Sequence, residues 1–273
     1  MRIRTAVLCA AAPLAFATGV SGQAREEQPP MSEPAAAAAL MDNRLTPERD
    51  RALQLATELG AHASANLKAA VIEAAWAELR GELDRPEDSE AIFDYVWAVG
   101  RLRDPRAIPF MIVALGTGAA MPNALADLAP AAFPAVLEVV ENPEGYFGQV
   151  SGGLTALRFM VEDGSLNERQ LERVREIARE RLSGTQDYIV ASTAVRLAVV
   201  LGDPQLRRIV ETLATDRTAA EALVSPYLSD GTPTRFYEQR LSRIQDRARK
   251  LLAGPVDFGP FRRPGLAPRK GQR

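Results

Sequence analysis

Residues Ala91 to Leu115 read AIFDYVWAVGRLRDPRAIPFMIVAL, two apolar runs joined by a short charged corner. Asp104 is a residue type that caps helix N-termini, and Pro105 follows at the first helical position, where its missing N–H costs no hydrogen bond. The chain therefore reverses over two or three residues and brings two apolar faces together. We predict two antiparallel helices here, with Asp104 capping the second.

Similar signals bound predicted helices on both sides of this corner. Thr46-Pro47 predicts a helix start, Gly60 its end, and a second helix follows from Ser64 to Leu83. Further predicted helices cover residues 121–128, 131–140, 147–161, 167–182, 188–201, 204–213 and 235–252. Because a single helix pair leaves one apolar side open, we expect successive pairs to stack and share a core.

The composition favours the same fold class and excludes several kinds of site. Alanine supplies 46 of the 273 residues and aromatic residues only 6%, which favours close-packed helices over sheets. The chain has one cysteine, Cys9, and one histidine, His62. These counts exclude histidine-rich metal sites and catalytic triads that need a second histidine. We therefore predict an all-α fold with no cofactor and no metal.

The corner resembles a known repeat. Gly100-Arg101-Leu102-Arg103-Asp104-Pro105-Arg106-Ala107-Ile108-Pro109, followed by an apolar run, is similar to the HEAT repeat, especially the short type of bilin-lyase-like proteins. A weaker copy lies at 191–206, and its Asp203-Pro204 corner comes 99 residues after the first, room for three units of about 33 residues. A shortened unit at 131–137 resembles the Ala107–Pro109 helix. The resemblance covers about Thr46 to Thr215.

The resemblance implies an α-α superhelix, a HEAT-like solenoid of stacked antiparallel helix pairs, which we assign to residues 46–253. In that family the second helix of each pair tends to line the concave face. By resemblance, the inner surface would draw on Pro105–Leu115, Ala131–Val140, Glu168–Leu182 and Pro204–Leu213. Repeats of this kind serve many different partners, so the resemblance predicts a fold rather than a ligand.

The first 24 residues have the pattern of a secretory signal peptide. Met1 to Arg4 is cationic, Thr5 to Thr18 is apolar, and small residues lead to cleavage near Ala24 or Gly22. A retained membrane anchor is the alternative, but about 14 apolar residues fall short of the roughly 20 that span a bilayer. We predict a periplasmic or secreted protein without a transmembrane segment after cleavage.

The segments that flank the helical region are poor in large side chains. Residues 25–45 are predicted to be a disordered linker, with one turn of helix at 35–41. Residues 254–273 are predicted to be a basic, proline-rich disordered tail. Its positive charge suits an anionic surface or an acidic partner, and a capping helix followed by a solvated tail is the alternative interpretation.

Four short motifs were considered as sites. His62 lies between two predicted helices and is interpreted as a surface residue. Residues 148–153 lack the spacing of a nucleophile elbow and are interpreted as a helix start. Residues 163–168 fail as a calcium loop, because apolar residues occupy ligand positions, and we predict that Ser165 caps the next helix. Asp94, Asp104, Asp127 and Asp203 are the carboxylates considered for acid and base catalysis.

Charge is distributed unevenly along the chain. Residues 25–234 carry a net charge of −12, and residues 235–273 carry +8. The acidic body and the predicted export both disfavour a nucleic acid ligand. We predict a non-catalytic scaffold or protein–protein interaction module that binds a protein or peptide. A carboxylate-dependent α/α hydrolase and a structural spacer remain the alternatives, and we assign no catalytic, cofactor-binding or metal residue.

Overall fold

The computed structural model describes residues 30–42, 46–82, 92–118, 120–142, 145–228 and 231–254. Within these residues the chain is all-α, as the sequence predicts, with thirteen α-helices and no β-strand. The helices, in chain order, are α1 (Glu33–Leu40), α2 (Pro47–Leu59), α3 (Ala65–Leu79), α4 (Ile92–Leu102), α5 (Ile108–Val113), α6 (Ala120–Asp127), α7 (Phe133–Glu141), α8 (Phe147–Glu162), α9 (Glu168–Ser183), α10 (Tyr188–Leu201), α11 (Pro204–Thr215), α12 (Arg217–Leu223) and α13 (Tyr237–Leu252).

The helices pack in two layers. In the first layer, α2, α4, α6, α8, α10 and α13 each pack against the next. The second layer contains α3, α5, α7, α9 and α11, and an ion pair of 2.7 Å between Arg173 and Glu141 joins α9 to α7. One continuous group of buried apolar side chains runs between the layers. The predicted stacking of successive helices is therefore present.

Two glycines let α8 approach its neighbours closely. A Cβ atom on Gly152 would lie 2.7 Å from the carbonyl oxygen of Leu115, and one on Gly153 would lie 2.6 Å from Cγ1 of Val140. Both distances are shorter than any real side chain tolerates, so the crossing requires glycine. Residues 148–153 therefore lie inside a helix that is packed on both sides.

The two Asp-Pro corners have the same local conformation. Oδ1 of Asp104 accepts a hydrogen bond of 2.9 Å from the N–H of Arg106, and Oδ1 of Asp203 accepts two of 2.9 Å from N–H groups of its own helix. The preceding residue is left-handed in both, with φ of 50° at Arg103 and 64° at Gly202. Asp203 therefore caps α11, whereas Asp104, which was predicted to cap the second helix, caps the 3-10 turn Pro105–Ala107 that leads into it.

The helix predicted after Asp104 is shorter than expected. The chain forms a 3-10 turn at Pro105–Ala107, then α5, then a second 3-10 turn at Ala114–Thr117. Pro109 has no N–H to donate to the carbonyl of Pro105, so a continuous α-helix would lack a bond at this point. Ile108 is half-buried, whereas Phe110 and Met111 are fully buried, so the latter two anchor the helix.

The residue that caps α9 differs from the prediction. Oδ1 of Asn167 accepts a hydrogen bond of 3.0 Å from the N–H of Gln170, and the Gln170 side chain accepts one of 3.0 Å from the N–H of Asn167. This reciprocal capping box satisfies two backbone donors. The prediction that Ser165 is the cap is wrong, because its N–H instead closes the end of α8 on the carbonyl of Met160.

Part of the predicted linker is helical. Ser32 caps α1, and Ala36 and Leu40 are buried against α2 and α3. The helix predicted at 35–41 is present and longer, at Glu33–Leu40, so the prediction of a disordered linker is wrong for these residues. Alanine side chains let a short helix approach closely, so few large groups are needed. The predicted signal peptide and the predicted tail beyond Gly254 lie outside the described residues. Within the described part of the chain, no helix has the length and apolarity to cross a bilayer.

Candidate binding surface

A cavity of about 430 Å³ lies between α10 and α13. Two helices line it, and most of the lining side chains are charged. The lining residues are Tyr188, Arg196, Arg243, Asp246, Arg247, Lys250 and Leu251. We call this space the basic cavity.

The apolar stripe of α13 determines which of its charges face this cavity. Leu241, Ile244, Ala248 and Leu251 are buried in the core. Arg243, Arg247 and Lys250 each immediately precede one of these buried residues, so they lie along the margin of the stripe, where α13 packs against α10. Arg249 is directed towards α11, where its Nε donates a hydrogen bond of 2.9 Å to the carbonyl of Ala214.

Positive charge exceeds negative charge in the basic cavity. Four of its lining residues are cationic and one, Asp246, is acidic. The Asp246 carboxylate already forms an ion pair of 2.5 Å with Arg249, whose side chain is not part of the lining. The cavity is therefore suited to an anion.

Arg196 is the most strongly perturbed cation in the basic cavity. Burial first, and then the positive charges of Arg247 and Arg158, together lower its pKa to about 10. Burial opposes a charged group because water no longer solvates it, and like charges add to that cost. An anion in the cavity would oppose both effects.

One end of the cavity has an aromatic wall. The guanidinium of Arg240 lies 5.7 Å from the centre of the Tyr188 ring, a cation–π distance. Tyr188 is half-buried, and Leu251 adds a second apolar contact. The cavity thus offers cationic groups together with apolar surface.

Helix α4, in the same layer, carries exposed aromatic side chains. Trp97 is 59% exposed and Phe93 44% exposed, although Tyr95, Val99 and Leu102 of the same helix are buried. Phe93 and Trp97 are four residues apart and therefore lie on one face. Because α4 packs against α2 and α6 on its sides and against α3 and α5 behind, this face points out of the layer. We call it the aromatic face.

Hydroxyl groups occur between these two regions of the first layer. The Ser151 hydroxyl on α8 and the Thr193 hydroxyl on α10 are 2.9 Å apart. Thr155 and Thr193 each bond to a carbonyl one turn earlier in their own helices. These hydroxyl groups are satisfied within the fold and tie α8 to α10.

Helix α9 lies in the second layer, whose helices would line the concave surface according to the resemblance. The exposed charges of α9 pair with one another. Arg175 pairs with Glu168 and Glu172, and Arg173 pairs with Glu176. Arg175 lies 3.0 Å from Glu172, and Arg173 lies 2.7 Å from Glu176. Paired charges on a solvated helix offer little to a ligand.

The structure does not bring the four candidate carboxylates together into one site. Three form ion pairs with different arginines, Asp104 with Arg106 at 2.6 Å, Asp127 with Arg103 at 3.4 Å, and Asp203 with Arg179 at 3.5 Å. Asp94 is exposed on α4.

Hydrogen bonds also set the protonation of two of these carboxylates. Bonds from the Arg106 side chain lower the pKa of Asp104, and bonds from backbone N–H groups, that of Leu206 first, lower the pKa of Asp203. A general acid in glycoside hydrolysis needs a raised pKa instead.

The remaining motifs have structural positions. His62 is exposed in a 3-10 turn between α2 and α3. Residues 163–166 connect α8 to α9, and Gly164 is left-handed with φ of 64°. In the part of the chain that the structure describes, no group of three or more metal-ligating side chains comes together.

Sequence reasoning did not find the basic cavity. It recognised the positive charge after residue 234, and Arg196 is one of the few polar residues in a helix that is otherwise apolar. The available signal was Arg196 itself, because a charged residue in a helix that is apolar on nearly every side indicates a candidate site. The sequence did not indicate which partner helix would face that arginine.

Comparisons of the chain with models of protein families, with curated proteins and with solved structures give no match.

Proposed function

We propose that this protein is an exported, non-catalytic binding module built from HEAT-like repeats, arranged as an α-α superhelix, whose partner is another protein or peptide. The observation that carries the proposal is the aromatic face of α4, where Trp97 and Phe93 are exposed one turn apart on a helix whose other side is buried. Large aromatic side chains that are rigidly presented are the commonest anchors of protein interfaces.

The surroundings of the aromatic face fit such an interface. Asp94 and Arg101 are exposed on the same side of α4, so charged groups flank the aromatic pair. An apolar centre with a polar rim is the usual anatomy of a specific interface. Burial of Tyr95 and Leu102 fixes the helix, so binding would order few side chains.

The repeat assignment is supported by the two Asp-Pro corners. They share a left-handed residue, an aspartate cap and a proline in the same order, 99 residues apart. Export is supported by the pattern of residues 1–24 alone, and N-terminal sequencing of the processed protein tests it. A mature protein that still begins at Met1 would contradict export.

The alternative of a carboxylate-dependent hydrolase is less well supported. Its two acids would have to act together, yet Asp104, Asp127 and Asp203 are each engaged by a different arginine. The alternative of a structural spacer leaves the exposed tryptophan unexplained, because a spacer has no use for an apolar anchor on its surface.

The experiment compares capture by two variants that remove exposed aromatic groups. The purified chain is immobilised, incubated with an envelope extract of the source cells and treated with a cross-linker. A Phe93→Ala/Trp97→Ala variant should retain about thirtyfold less of the specific partner, the loss typical of a hot spot. The matched control is Phe236→Ala/Tyr227→Ala, since both residues are exposed to a similar degree elsewhere.

Three outcomes would contradict the proposal. Equal capture by both variants would show that the aromatic face is not the interface. Capture of no protein above background would favour the spacer. Hydrolysis of a polysaccharide that disappears in Asp127→Asn would establish the hydrolase instead.

A further inference from the structure

The basic cavity is a separate feature from the aromatic face and has its own chemistry. We infer that it binds the phosphate group of a phosphate ester, either a small soluble molecule or the headgroup of a lipid. This inference does not depend on the protein partner proposed above, because the two features lie on different helices and use different side chains.

The charge in the cavity favours phosphate over carboxylate. Arg243, Arg247 and Lys250 come from α13 and Arg196 comes from α10, so cations approach from two sides. A phosphate monoester carries between one and two negative charges at neutral pH and has three terminal acceptor oxygens. A carboxylate has one charge and two oxygens and would leave more of these donors without an acceptor. Guanidinium groups also bind phosphate oxygens in pairs.

The size and lining indicate an ester rather than inorganic phosphate. A volume of about 430 Å³ lies in the range of small-molecule sites. The ring of Tyr188 and the side chain of Leu251 provide apolar contact for an organic group. The phosphate would face the arginines while the rest of the molecule packs against these two residues.

The two helices that carry the site are held in place by the core. Val195 and Leu197 flank Arg196 and are fully buried, and Ile244 and Leu251 anchor α13. Residues that are fixed by packing lose little entropy when a ligand binds. The positive charges of Arg247 and Arg158 act on Arg196, so an anion bound in the cavity would stabilise a charge that is already in place.

The experiment measures ligand affinity for the full chain by calorimetry and by vesicle flotation. The soluble probes are glycerol 3-phosphate and glycerate, which differ mainly in having phosphate or carboxylate as the anion. The vesicles contain phosphatidylcholine with or without phosphatidic acid. The test variant is Arg243→Gln/Arg247→Gln, and the control is Arg169→Gln/Arg208→Gln, which removes the same charge from exposed positions on α9 and α11.

The test variant should bind the phosphate probe about tenfold to a hundredfold more weakly, while the control changes less than about twofold. Loss of glycerol 3-phosphate binding identifies a soluble ester. Loss confined to phosphatidic acid vesicles identifies a lipid headgroup. Circular dichroism and the melting temperature establish that both variants fold.

Three results would overturn the inference. The first is that wild type binds neither phosphate probe. The second is equal affinity for glycerate and glycerol 3-phosphate. The third is equal weakening in the test and control variants, which would show that net charge rather than the cavity attracts the anion.

Discussion

Helices α9 and α13 are both 16 residues long, and each places one apolar stripe in the core. Each also carries five basic residues, but α9 has four acids and α13 has two. In α9 the acids Glu168, Glu172, Glu176 and Glu180 all lie within ion-pair distance of arginines of the same helix. In α13 three of the five cations, Arg243, Arg247 and Lys250, line the basic cavity, and Arg196 of α10 lines it from the other side.

This comparison shows that the apolar stripe of a helix and its charged residues have different effects. The stripe decides which side of a helix is buried, because transfer of apolar surface from water is the larger energy. The charges at its margin decide what the exposed side offers. On α9 they satisfy one another, whereas on α13 three of the cations, Arg243, Arg247 and Lys250, line the basic cavity, where we infer that an anion binds.

The largest predicted effect is on stability, and it tests the apolar stripe that α9 and α13 have in common. Ile177→Ala on α9 and Ile244→Ala on α13 should each lower the free energy of unfolding by about 2 to 5 kcal/mol, since both side chains are fully buried and truncation leaves a cavity. Urea denaturation measures both. A small effect of Ile244→Ala alone would show that α13 is an appendage to the folded body rather than part of its core.

The next effect tests the repulsion around the cavity. Arg196→Met keeps an unbranched side chain as far as the position of Nε and removes a partly buried charge that Arg247 and Arg158 oppose. It should raise the free energy of unfolding of the ligand-free protein by about 1 kcal/mol, with solvent screening limiting the gain. Thermal denaturation measures it, and Arg208→Met on the exposed side of α11 is the control. A lower melting temperature for Arg196→Met would contradict the picture of a strained cation.

The sequence predicted the local structure of α9 and α13 well, since this is encoded within each helix. Caps and terminators, such as the Asp203-Pro204 corner and Gly202 before it, act over a few residues and can be recognised in any context. Both apolar stripes were also visible as a period of three to four residues. The all-α class followed from these local signals.

The sequence could not supply contacts between distant segments. Arg196 and Arg247 are 51 positions apart, and only the packing of α10 against α13 brings them to one cavity. The short helix α12 was missed because the loop around it has little periodicity. Pro109 was visible, but its effect on the helix after Asp104 was underestimated.

Removing one arginine from α9 or from α13 should change the free energy of unfolding by a smaller amount, with opposite signs in the two helices. Arg175→Gln on α9 removes attractive pairs with Glu168 and Glu172, so it should lower the free energy of unfolding by less than about 1 kcal/mol, and added salt should reduce the loss. Arg247→Gln on α13 removes a like charge that opposes Arg196, so it should be neutral or stabilising. Urea denaturation at low and high sodium chloride measures both. Losses of the same sign and salt dependence would remove the distinction between the helices.

The smallest effect concerns a single titration on α9. Hydrogen bonds from Arg175, then from Arg179, lower the pKa of Glu172 below its ordinary value of 4.5. Because the folded pKa is the lower one, the contribution to stability is present above pH 4.5 and is lost as the pH falls through the folded value. A pH titration followed by NMR should place Glu172 below 4.5 in the wild type and closer to 4.5 in Arg175→Gln. Arg208→Gln removes the same charge without touching these hydrogen bonds and should leave the titration unchanged. If Glu172 titrates identically in all three proteins, the ion pairs of α9 do not form in solution, and its surface is as open to a ligand as that of α13.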